Sequence, residues 1–110
     1  MVIGRKSPFY SLGSVQQLQD FVLAGQYTRQ DVDELGFDTD NVLATIRGLR
    51  AADFRGTKVY QGRKYDVYKT LVRIEPPDRW DDAYSQEIYI KLRLTRQNTM
   101  IFLASFHKDR

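Results

Sequence analysis

The chain has 110 residues, 42% of them hydrophobic and 13% aromatic, which suits one folded domain with a modest core and argues against a disordered segment. There is no cysteine and only one histidine. That excludes disulfides, thiolate metal sites, cysteine nucleophiles and a histidine-rich metal cage, and no apolar run approaches the roughly 18 residues of a membrane span. The net charge of +3 is mild but uneven: Tyr89 to Arg110 carries +4 and the rest of the chain −1, a distribution that suits a polyanion or an acidic protein as partner, or cations that keep a wet strand face soluble.

In chain order, Met1 to Pro8 reads as a loose arm. It has basic residues but no apolar stretch after them, so it does not read as a signal peptide, and with the lack of cysteine it fits a cytoplasmic protein. Ser14-x-x-Gln17 reads as a capping box opening a first helix. Val15, Leu18, Phe21 and Val22 form its apolar stripe, and Ala24-Gly25 its end. Thr28-x-x-Asp31 opens a short helical piece through Val32 and Leu35, stopped by Gly36. Asp38 or Thr39 caps a third helix with a buried stripe of Val42, Leu43, Ile46 and Leu49, ended by Gly48.

From Phe54 the period changes from helical to alternating. Lys58 to Gln61 predicts a strand, Gly62-Arg63 a turn, and Tyr65 to Glu75 a long strand stopped by Pro76-Pro77. Asp78 to Ser85 is an acidic connection, which Trp80 is expected to pin to the body. Gln86 to Lys108 then alternates through two strands. With Arg96-Gln97-Asn98 as the loop and Thr95 facing Thr99, residues Leu94, Leu92, Ile90 and Ile88 oppose Met100, Phe102, Ala104 and Phe106 on one apolar face. The other face carries Tyr89, Lys91, Arg93, Ser105 and His107, with Tyr89 across from Ser105 and His107 diagonal to it. Helices followed by four strands predict a single α+β domain over residues 1–110, with a mainly antiparallel sheet and the N-terminal helices packed on it.

No motif names a reaction: there is no Gly-rich phosphate loop, nucleophile elbow or metal-ligand spacing. What remains is a constellation on the wet face of the hairpin. Cleaving RNA without a metal needs a base for the 2′-OH proton, cations for the phosphate and an acid for the leaving 5′-oxygen. Tyr89, Lys91, Arg93 and His107 supply these kinds of group, and histidine is the natural acid because it titrates near neutrality. The same residues read equally as a solvated strand face with a surface histidine. Tyr65 suits base stacking or sheet packing; Lys69 and Arg73 share a strand face that suits phosphates or plain solvation.

Six short signatures run through the chain in order. They are Ala24-Gly25-Gln26; Asp33-Glu34-Leu35-Gly36-Phe37-Asp38; Gly48-Leu49 followed by Asp53-Phe54; Asp66-Val67-Tyr68; Ile88-Tyr89-Ile90-Lys91-Leu92; and Ser105-Phe106. Together they make the chain resemble the MqsR family of bacterial toxins, small mRNA endonucleases of RelE-like fold. The resemblance implies a type II toxin that cuts single-stranded mRNA sequence-specifically and independently of the ribosome, needs no cofactor or metal, and is neutralised by a cognate antitoxin that binds DNA. Carried over by position, the family's active-site tyrosine falls on Tyr89 and the lysine that closes its Ser-Phe-Lys falls on His107. A family lysine falls on Gly56, with Lys58 two residues on at the same strand parity, and a family glutamine falls on Tyr65. The site expected is therefore Tyr89, His107 and Lys58 as catalytic groups, with Lys91, Arg93, Tyr65 and Arg73 holding the substrate. The replaced positions leave a second reading, a module of the same fold that binds RNA or an antitoxin without cutting.

Overall fold

The computed structural model describes residues 2–3, 7–76 and 80–109, the first two by backbone alone. The chain is α+β. Its strands are β1 (Val2–Ile3), β2 (Phe21–Leu23), β3 (Phe54–Tyr60), β4 (Arg63–Ile74), β5 (Tyr84–Leu94) and β6 (Ile101–Lys108). They form a six-stranded sheet in the order β1-β3-β4-β5-β6-β2. Every pairing is antiparallel except β2 with β6. Three helices, α1 (Leu12–Gln17), α2 (Gln26–Glu34) and α3 (Thr39–Arg47), cover one face.

The back face is the core. Tyr68 of β4, Ile88, Ile90 and Leu92 of β5, and Ile101, Leu103 and Phe106 of β6 pack against Val15, Val32, Val42 and Ile46 from the helices. Each such aliphatic side chain withdrawn from water contributes about 1.5–3 kcal/mol. The stripe Val42, Leu43, Ile46 and Leu49 is buried as its period predicts. Asp38 caps α3 in a reciprocal box with Asn41, and Gly36, at φ +72°, ends the preceding segment where expected.

The N-terminal third departs from its pattern. Helix α1 is capped by Ser11, not Ser14, and stops at Leu18, whose backbone is extended. Phe21 and Val22, read as helix stripe, instead form β2, which runs parallel to β6 and is closed at its ends by Ile101 N–H to Asp20 O and Ala24 N–H to Leu103 O, both 3.0 Å. A sheet edge needing partners outweighs a short helical pattern. The arm is likewise not loose where it is described: Val2 and Ile3 pair with Lys58 and Thr57. Helix α2 begins at Gln26, before the Thr28 cap expected, with Gly25 at φ +96° as its first boundary. Trp80 is 81% exposed, so it is not the buried anchor expected; residues 77–79, including Pro77 and the start of that connection, lie outside the described residues.

The β5–β6 hairpin has a different register from the one its alternation suggests. Its loop runs Arg96–Thr99, closed by Thr95 N–H to Met100 O at 3.0 Å, with Asn98 in the left-handed conformation at φ +59°. Leu94, Arg93 and Leu92 therefore face Ile101, Phe102 and Leu103. A bulge at Ala104 then shifts the pairing, so that Lys91 faces Ser105, Ile90 faces Phe106 and Tyr89 faces His107 directly. This arrangement buries Ile101, Leu103 and Phe106 together, which no unbroken alternation can do because they lie on both parities. The Thr28 hydroxyl of α2 donates to the Ala104 carbonyl at 3.1 Å, satisfying backbone at the bulge.

Candidate active site

On the front of the sheet the strands set out rows of side chains. Lys58 of β3 stands beside Tyr65 of β4; Val67 faces Lys91 of β5; Lys69 faces Tyr89, and Tyr89 faces His107 of β6. The Lys58 ammonium crosses the rows and donates to the Tyr89 phenol oxygen at 2.9 Å. The phenol thus accepts from a cation and keeps its own proton to donate. On its other side the Tyr89 ring stacks on the His107 imidazole, centroids 5.1 Å apart and planes 13° from parallel. His107 Nδ1 lies 2.8 Å from the Lys108 carbonyl. A carbonyl only accepts, so Nδ1 carries a proton and Nε2 is the position that exchanges one.

A cavity of about 180 Å³ opens beside Tyr89, lined by Arg55, Gly56, Lys58, Val67 and Lys69. Three of its lining residues are basic, but the surface they present to it is mostly apolar, the stems of these side chains together with Val67. Its floor depends on the β-bulge between Phe54 and Gly56, where Gly56 sits at φ +139°, a conformation that side chains rarely adopt. The bulge leaves the position of the expected family lysine without a side chain and lets Lys58 reach across the space. Arg55, not singled out by sequence, joins the lining while its guanidinium donates to Ala52 O at 2.8 Å. Bulges leave no composition signal, which is why Arg55 was missed.

Farther along the face, Tyr65 is buried beneath two cations: the Lys91 ammonium lies 5.9 Å and the Arg93 guanidinium 5.8 Å from its ring centre. Arg93 also lies over Phe102 at 4.1 Å, so Phe102, read as core, belongs to the front. Arg73 stands apart. It lies four residues along β4 from Lys69, exposed and paired with Glu75 at 2.8 Å. Lys69 itself is held by Asp109 at 3.1 Å. Glu87 next to them is pushed above the usual carboxylate range, first by its hydrogen bond with the Asp109 side chain and then by desolvation and Asp109's charge. A cleft of about 240 Å³ beside His107 is lined by Asp31, Glu34 and Leu35 of the α2 region and by Lys108.

The structure thus brings Lys58, Tyr89 and His107 into one contiguous array and sets Tyr65, Lys91 and Arg93 next to it, while Arg73 is not part of it. No protein-family model matches the chain, and no curated protein sequence matches it. None of the described helices is long and apolar enough to cross a membrane.

Proposed function

We propose that this protein is a RelE-like endoribonuclease toxin of a type II toxin–antitoxin system, acting in the cytoplasm on single-stranded mRNA and held in check by a cognate DNA-binding antitoxin. The observation that carries the reading is the Lys58–Tyr89–His107 array beside a small cavity whose lining includes three basic residues. A phosphate seated there meets Lys58 and Lys69 on one side, the Tyr89 hydroxyl in the middle and His107 beyond. Their charges favour the crowded phosphorane over the ground-state diester, because extra negative charge develops on its oxygens. In the step proposed, the O2′–P bond forms and the P–O5′ bond breaks. The 2′-OH proton leaves to solvent, and His107 Nε2 gives its proton to the departing 5′-oxygen. No metal or cofactor takes part. The products are a 2′,3′-cyclic phosphate and a 5′-hydroxyl.

Incubating the purified protein with synthetic RNA in excess chelator, and identifying the fragment ends, tests this directly. Cyclic-phosphate ends from the wild type, together with growth arrest on expression without a partner, are the expected result. RNA binding without fragments would replace the nuclease by the non-cleaving module that the changed positions Gly56 and Tyr65 also permit.

A further inference from the structure

A second cavity, about 490 Å³, lies at the end of the sheet, where the Gln61–Gly62 turn, the Arg96–Thr99 loop and the segment before α1 meet; Arg63 and Arg93 reach it from the Tyr89 face, Lys64 and Leu94 from the back. Four cations line it, Arg63, Lys64, Arg93 and Arg96, and among the described residues no carboxylate does. Phe9 and Tyr10 form its wall, packed edge to face at 4.9 Å, with the Lys64 ammonium 4.4 Å from the Phe9 ring centre and 43% of Phe9 exposed.

This wall is built, not incidental. Phe9 N–H and Tyr10 N–H donate to the two oxygens of Asp66 at 3.0 and 2.8 Å, and the Tyr10 hydroxyl donates to Lys64 O at 2.9 Å. Asp66 is completely buried and also accepts from the Thr57 hydroxyl at 2.7 Å, so its charge is turned inward and fully engaged. Arg93 joins the two regions. Its Nε is buried with no hydrogen-bond partner among the described residues, and its guanidinium lies between Tyr65, Phe102 and the cavity.

Tyr89 and Arg93 are four residues apart on β5, about 13 Å at the usual rise of a strand. Lys91 lies between them on the same face. A strand of RNA with its scissile phosphate at Tyr89 would cross Lys91 and reach this cavity within a few nucleotides. We propose that the Phe9–Arg63–Arg96 cavity is a second RNA subsite, which stacks a flanking base on Phe9 and holds its phosphate on Arg93, Arg63 and Arg96. An exposed aromatic ring set among cations is the usual platform for a single-stranded base. The proposal rests on the reading of the Tyr89 face as an RNA site, and it deepens that reading by placing the strand's direction along β5.

The test uses uncleavable 2′-O-methyl probes on the full chain: a trinucleotide, and the same probe extended by a few nucleotides on the 5′ or the 3′ side. One extension should raise affinity about fivefold to tenfold, the lower part of the range a stacked base contributes. Phe9→Ala should abolish that gain, and so should the Arg63→Gln, Arg96→Gln double variant, which leaves the Phe9 wall intact. Trinucleotide affinity and the single-turnover rate at saturating RNA should not change. The subsite is overturned if neither extension gains affinity, if the gain survives in both variants, or if trinucleotide binding falls equally. An acidic peptide that binds at Arg63 and Arg96 while RNA extension gains nothing would assign the cavity to a protein and overturn it too. Failure of all probes to bind would overturn the RNA reading of the Tyr89 face along with the subsite. Trinucleotide binding without an extension gain would remove the subsite alone.

Discussion

Two polar clusters on neighbouring strands, around Asp66 of β4 and around Tyr89 of β5, show opposite uses of the same sheet. Asp66 points to the back, is completely buried, and has three donors for its two oxygens. A buried carboxylate so saturated costs little and ties the N-terminal segment to the sheet. Tyr89 points to the front, half buried, within a field of Arg55, Lys58, Lys69 and Lys91 that has few carboxylates to balance it. Saturation marks a structural role. A surplus of one charge around a hydroxyl and an imidazole is what the proposed phosphate site requires.

The sharpest way to break this contrast is at the front. Tyr89→Phe combined with His107→Ala should slow single-turnover RNA cleavage by about 10²–10⁴-fold, the usual range for lost proton transfer, while the unfolding transition stays where it is. A folded double variant that cuts as fast as the wild type would reduce the Tyr89 cluster to a solvated face.

At the back the expectation reverses. Asp66→Ala strands two backbone N–H groups and the Thr57 hydroxyl, and should cost about 3 kcal/mol in denaturant unfolding. Asp66→Asn should cost less, since its amide oxygen still accepts. An unchanged unfolding free energy in Asp66→Ala would erase the distinction between the clusters.

A smaller effect lies in the core beside Asp66. The Tyr68 hydroxyl is buried with no hydrogen-bond partner among the described residues. Burial first, and the Asp66 charge second, push its pKa up. Tyr68→Phe should therefore stabilise the fold by about 1 kcal/mol. The pH dependence has a definite sign. Above the ordinary phenol value of about 10 the unfolded chain releases this proton and the folded chain does not, so wild-type stability falls as pH rises there. The phenylalanine variant should show a shallower alkaline fall, and equal slopes would contradict it.

The smallest effect is at the rim of the front cluster. Asp109→Asn removes the partner of Lys69 and the hydrogen-bonded carboxylate that raises Glu87. RNA affinity at low salt should improve about twofold to threefold, within the range of about 0.2–1 kcal/mol typical of ion pairs near the surface. Weaker binding would mean that Asp109 positions Lys69 for the phosphate.

Much of this was legible in the chain. The 3.6-residue stripe of α3 with its Asp38 cap, the alternation of β5 and the stop at Gly36 are local features, and local sterics decide them. The same alternation placed Tyr89, Lys91, Arg93 and His107 on one wet face, and they share it. The direct Tyr89–His107 stack, however, comes from a longer loop and a bulge at Ala104, which trade one buried set of β6 side chains for another and depend on Thr28 from α2. The conversion of Phe21–Leu23 from helix stripe to edge strand depends on β6, far away in sequence. The approach of Lys58 to Tyr89 depends on the Gly56 bulge and on β4 lying between them. Helix period, strand period and turn conformation are set by each residue's near neighbours, so the sequence alone determined them. Register, edges and the meeting of side chains from three strands are set by which apolar surfaces bury best together, and only the tertiary structure decided those.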